Sequence, residues 1–159
     1  MLLLAKNLLF TIVVPGTVAV YVPVFSFSHG PVVMSASSAA AACVLLIGAL
    51  IYAWCLWDFA SFGRGTPAPI DAPRRLVVRG LYRYSRNPMY VGVLTVICGW
   101  ALLFQSLSPI IYAFVVAACF HVFVVFYEEP HLKSVFGPSY EQYSSRVGRW
   151  LSFRKPAPG

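Results

Sequence analysis

Leu76-Val77-Val78-Arg79-Gly80-Leu81-Tyr82-Arg83-Tyr84-Ser85-Arg86-Asn87-Pro88-Met89-Tyr90-Val91-Gly92 gathers positive charge and then runs straight into an apolar stretch. Arg74 and Arg75 precede it, and Arg79, Arg83 and Arg86 lie within it. The Asn87-Pro88 pair marks a helix start, because Asn caps free N–H groups and Pro suits the first helical position. A helix N-terminus surrounded by cations is a ready seat for an anionic ligand group.

The environment of that stretch decides the fold class. Of the 159 residues, 59% are hydrophobic and 11% charged, and the mean hydropathy is +0.74, whereas soluble domains carry roughly a quarter charged residues. The chain reads as an all-α integral membrane protein, since backbone groups in lipid must be satisfied within helices. Four apolar segments are long enough to span, at about residues 2–27, 36–57, 88–104 and 109–127, in a single membrane domain over 1–159. Pro15, Gly16 and Pro23 are expected to bend the first. Small residues from Ser35 to Ala42 open the second, allowing close helix approach.

A net charge of +7 is compatible with nucleic-acid binding, but its distribution is not. All twelve Lys and Arg fall at Lys6, between Arg64 and Arg86, or between Lys133 and Lys155. The turns near His29 and Gln105 carry none, so the positive-inside rule puts both termini and the central loop in the cytoplasm. Anionic membrane lipids, and no nucleic acid, are the expected partners of those charges. Cys43, Cys55, Cys98 and Cys119 lack metal-ligand spacing, and no metal is expected.

The segment from Asp58 to Ser85 is a long loop rich in Gly, Pro and Arg, too apolar at Leu76-Val77-Val78 for a free linker. It is expected to fold back onto the helix ends. The last two spans then form an antiparallel hairpin, which sets Asn87-Pro88-Met89-Tyr90 beside Glu128-Glu129. Two adjacent carboxylates at a helix C-terminus repel each other and the helix dipole, so they need a cation. Either Arg86 or Arg83 supplies it, or a cationic ligand does. His121, two turns before Glu128, is an ionisable group inside a span: it either lines a pocket there or bonds a neighbouring helix. Beyond Pro130 the span is expected to have ended. A short amphipathic helix with Tyr140, Tyr143 and Val147 on one side is expected on the membrane surface, with Arg146, Arg149, Arg154 and Lys155 toward headgroups and Trp150 as anchor.

The pattern Leu-Val-Val-x-Gly-x-Tyr-x-x-x-Arg-Asn-Pro-x-Tyr-x-Gly, a hairpin, then Glu-Glu-Pro-x-Leu-x-x-x-Phe-Gly-x-x-Tyr-x-x-Tyr resembles the isoprenylcysteine carboxyl methyltransferase and phospholipid methyltransferase superfamily, in its small bacterial form. The resemblance implies a methyltransferase of the bacterial inner membrane that uses S-adenosylmethionine (SAM), with the cofactor-binding half in residues 74–151. It implies cofactor contacts at Arg74, Arg75, Leu76, Val77, Tyr82, Asn87, Pro88, Met89, Tyr90, Glu128 and Glu129. Asn87 stands where the isoprenylcysteine enzymes usually have histidine, and Val124 where they have an arginine; both speak against prenyl-cysteine carboxyl methylation.

The residues themselves agree with that cofactor. Its carboxylate suits the Asn87-Pro88 helix start with Arg86, and its ammonium and sulfonium suit Glu128-Glu129. A lipid-like or other hydrophobic substrate is expected, offering a carboxylate, thiol or amine. An amine requires a base, for which Glu128 and His121 are the candidates. Two other readings compete. A membrane reductase of the sterol-reductase type shares a similar C-terminal motif, but the phosphates of NADPH call for more cations. A non-catalytic adaptor would be expected to have lost one of the two motifs.

Overall fold

A computed structural model describes residues 2–28, 36–63 and 75–151, with side chains from residue 5 in the first segment and 37 in the second. The expectations for Arg74, for the turn at His29 and for Arg154 and Lys155 lie outside these residues.

The described chain is helical: α1 (Leu2–Gly16), α2 (Val22–Phe27), α3 (Ala36–Asp58), α4 (Pro88–Phe104), α5 (Ser108–Phe123), α6 (Glu129–Phe136) and α7 (Pro138–Arg146). Three continuous helical runs, Ala5–Phe27, Ser37–Gly63 and Ser108–Phe136, are long and apolar enough to cross a membrane, and Pro88–Phe104 is a shorter apolar helix. At about 1.5 Å per residue the last still approaches the thickness of a hydrocarbon core. Phe25 is 82% and Phe126 77% exposed; such surfaces are stable facing lipid rather than water. The protein is an all-α integral membrane protein.

Prolines shape the first span through a π turn rather than a break. Thr17–Tyr21 is π-helical and leads into α2, which holds Pro23. Pro23 has no N–H, so the carbonyls one wide turn earlier, at Val18 and Ala19, lose their donor. Both are satisfied from other helices: Tyr112 Oη donates to Val18 O at 3.0 Å, and Trp100 Nε1 to Ala19 O at 2.8 Å. Lipid offers no donor, so these side chains fix where α4 and α5 sit against the first span. Ala19, Val93, Ile97, Ala113 and Val116 pack together at that junction.

The most extensive helix contact is α3 with α4, and small residues make it possible. A Cβ on Gly48 would meet the Gly92 carbonyl at 2.8 Å, and one on Gly92 the Gly48 carbonyl at 3.0 Å. This crossing holds the start of α4, the end that carries Asn87 and Tyr90.

The fourth span does not stop near Tyr127. Helix continues through Pro130 to Phe136, because Val124–Glu128 is a π turn that takes up the proline in the first turn of α6. Nor does α7 turn its apolar side to lipid. Tyr140, Tyr143 and Val147 are buried against Leu76, Val78, Leu132 and Phe136. The loop folds back as expected, with Val77 and Tyr82 buried against Cys55 of α3.

Candidate functional site

The start of α4 is built by tying together two chain segments far apart in sequence. Pro88 is the first helical residue and Asn87 the capping residue, but the Asn87 side chain caps nothing. Instead its Nδ2 donates to Arg149 O at 3.0 Å, while the Arg86 backbone N–H donates to Gly148 O at 3.0 Å. Tyr143 Oη donates to Tyr82 O at 2.7 Å. Asn87 therefore serves as a clamp on the C-terminal segment, not as the helix cap its position in the sequence suggested.

The two glutamates divide their roles. Arg149 grips Glu129 in two parallel bonds, Nε to Oε1 at 2.6 Å and Nη2 to Oε2 at 2.9 Å. Arg86 Nη1 adds a third contact to Glu129 Oε1 at 3.0 Å and donates to Tyr140 Oη at 3.1 Å. Pairing with Glu129 pushes the Arg149 guanidinium pKa up, so it stays charged. Glu128 differs. Among the described residues it meets the Tyr90 hydroxyl, which donates to Oε2 at 2.8 Å, and no cation.

Around Glu128 lies a chamber of about 1240 Å³ including its open mouth. Its polar end has Arg86, Asn87, Glu128, Glu129 and His131 in the wall; its apolar end has Phe10, Val14, Val18, Phe120 and Phe123. Tyr82, Tyr140 and Tyr143 cover it, and burial pushes all three phenol pKa values up, so at neutral pH they are uncharged hydrogen-bonding groups. Arg86 Nε and His131 Nε2 are buried without a partner among the described residues. Such buried polar atoms are uncommon in folded proteins and call for an explanation.

Of the candidate residues, the structure brings Leu76, Val77, Tyr82, Arg86, Asn87, Met89, Tyr90, Glu128 and Glu129 into the chamber wall. Pro88 is buried at the helix start, and Arg75 is exposed. His121 is not in the wall: it lies on the outer face, where Trp150 Nε1 donates to its Nδ1 at 3.3 Å.

Residues 36–139 match the phospholipid methyltransferase family. The chain belongs to that family. No curated protein and no solved structure matches it. This is therefore a membrane methyltransferase, and the matched region holds both Asn87–Tyr90 and Glu128–Glu129, whereas α1 and the Tyr140–Arg149 cover lie beyond it. The family gives the reductase reading no support.

His131, Arg149, Tyr140 and Tyr143 were not among the expected site residues. For His131 the signal was available: it lies three residues after Glu128 and shares its helix face if the helix continues through Pro130. Arg149 carries no local signal, because only the clamp at Asn87 brings it to Glu129.

Proposed function

We propose that this methyltransferase uses SAM as its methyl donor and acts on a lipid-like substrate whose apolar part occupies the other end of the same chamber. The observation that carries the reading is Glu128, a carboxylate in a ligand-sized chamber facing no cation among the described residues. A buried charge without a counter-charge is costly, and a ligand cation removes that cost. Glu129, by contrast, is already neutralised.

The other polar atoms fit the same ligand. Arg86 Nε is a buried donor without an acceptor, suited to the carboxylate of an amino acid moiety. Met89 and Tyr90, at the uncapped start of α4, present the positive end of a helix beside it. Leu76, Val77 and Tyr82 supply an apolar, aromatic wall for a nucleobase.

When bound, SAM supplies an electrophilic methyl on a sulfonium. The chain's own part is to seat that cation at Glu128, to align an incoming nucleophile and to exclude water. The apolar end, lined by the first span and α5, suits a lipid tail. By the positive-inside bias the polar end faces the cytoplasm of a bacterial inner membrane. Incubating the purified protein with methyl-labelled SAM and membrane lipid extract tests the reading. Label is expected in the organic phase, and label absent from every lipid fraction contradicts a lipid-like substrate.

A further inference from the structure

We infer that Val18, Val93 and Phe120 form a roof over the apolar end of the chamber, and that the methyl acceptor is a single-chain amphiphile whose chain ends beneath it. That chain is shorter than those of a membrane phospholipid. This rests on the function proposed above and names the size class of substrate that site takes.

The three roof residues come from three helices. Val18 lies in the π turn of the first span, Val93 in α4 and Phe120 in α5. All three line the chamber, and all three belong to the packing around buried Ala19, Ile97, Ala113 and Val116. Those four residues do not line the chamber, so the space ends where the cluster begins. Ile97 is fully buried, and a close-packed interior does not admit further methylenes without strain. The roof is also pinned from the sides. Tyr112 Oη holds the Val18 carbonyl at 3.0 Å, and the Phe120 ring is set against Tyr90, with centroids 4.5 Å apart.

Two helices fix the height of the apolar end independently. Phe10, Val14 and Val18 recur at every fourth position of the first span and share one face. The interval from Phe10 to Val18 equals that from Phe120 to Glu128, and at about 1.5 Å per residue each rises about 12 Å. A leaflet is half of a hydrocarbon core of about 30 Å. Chains that cross a leaflet therefore exceed the space beneath the roof, part of which the reacting group takes up beside Glu128.

The chamber also reaches the lipid-facing surface, because Val14, Phe123 and Tyr127 are at once exposed and part of its wall. A tail that left through that side would not use the space above it. Yet the chamber continues one turn past Phe123, to Phe120, Val18 and Val93. Apolar space left empty forfeits packing contacts, and a chain that stays inside fills it.

The test uses the full chain in detergent with methyl-labelled SAM. The acceptors are single-chain alkyl amines, thiols and carboxylates lengthened one methylene at a time, beside a two-chain phospholipid with an amine head group. For whichever series is methylated, kcat/KM is expected to fall about tenfold or more at the first methylene too many, and the two-chain lipid to be slower than the best single-chain acceptor by at least as much. Val18→Ala raises the roof and should move the cutoff to longer chains; Val18→Phe lowers it and should move the cutoff to shorter ones. Both keep the main-chain carbonyl that Tyr112 holds. Both should bind S-adenosylhomocysteine within about twofold of wild type, because the substitution is remote from the cofactor end. Should either variant lose that binding, Phe120→Leu also raises the roof and reads the same shift. A kcat/KM independent of chain length, or a cutoff that stays in place in the roof variants, overturns the inference and sends the tail out through the lipid-facing side. Absence of methylation of every single-chain acceptor also overturns it, while label in the two-chain lipid leaves the function above intact. Failure of the wild type to bind S-adenosylhomocysteine overturns that function, and this inference with it.

Discussion

The Tyr90 hydroxyl donates to Glu128 Oε2 at 2.8 Å, joining the first turn of α4 to the π turn between α5 and α6. Between them they close the polar end of the hairpin. Tyr90→Phe removes the donor and keeps the ring, whose centroid lies 4.5 Å from that of Phe120. A hydrogen bond to a charged group contributes about 1.5–3 kcal/mol. The denaturation midpoint of Tyr90→Phe in detergent should fall accordingly, and a midpoint equal to wild type contradicts the assignment.

Arg149 and Glu129 form a forked pair at the edge of the chamber, with side chains 32% and 19% exposed. That places the pair between surface pairs, which contribute little, and buried ones, whose breaking costs about 3–5 kcal/mol. Arg149→Ala should destabilise by about 1–3 kcal/mol, and Arg149→Lys should recover less than half, because an ammonium cannot reproduce the fork. An Arg149→Lys variant as stable as wild type, read by thermal denaturation, contradicts the forked geometry.

Gly80 has φ +57°, and a Cβ there would collide with the Asp58 carboxylate and approach Trp54 Nε1 to 2.9 Å. Asp58 is fully buried, and Arg79 Nε, 3.2 Å from its Oδ1, provides its counter-charge. Arg79 in turn lies 3.4 Å over the Phe62 ring. Gly80→Ala meets both left-handed backbone strain and displacement of a buried charge, so a loss above about 2 kcal/mol is expected. Retained stability would show that the loop does not dock on α3 through this contact.

Burial pushes the phenol pKa values of Tyr82 and Tyr143 well above their ordinary value of 10.0. Each phenol holds its proton more tightly in the folded protein than in the unfolded chain. Their contribution to stability is fully present below pH 10 and is lost as pH rises through the folded values. Thermal midpoints in detergent should be flat with respect to these groups from pH 7 to 9 and fall above about pH 10. A midpoint that rises above pH 10 contradicts their burial in the neutral form.

Much of this arrangement is legible in the sequence. The hairpin lengths alone set Asn87–Tyr90 beside Glu128–Glu129, and the repulsion of adjacent carboxylates called for a cation. One candidate answer is in place, since Arg86 reaches Glu129; the other, a ligand cation, is what is proposed for Glu128. What the sequence hid was the effect of π turns. Pro130 reads as a stop because an ordinary α-turn cannot hold it, yet the wider turn at Val124–Glu128 carries the helix on and brings His131 into the wall. The cover was hidden for another reason. Tyr140, Tyr143 and Val147 form an apolar face that suits lipid and protein equally, and only long-range bonds such as Asn87 to Arg149 decide between them.

The most direct test of the account is calorimetric titration of SAM into the detergent-purified protein, wild type beside Glu128→Gln. Replacing the carboxylate with a neutral amide keeps the shape and an acceptor for Tyr90 while removing the counter-charge. Loss of a charge-assisted contact predicts affinity weaker by about tenfold or more. Wild-type affinity in Glu128→Gln would contradict the assignment of Glu128 as the seat of the cofactor's positive charge.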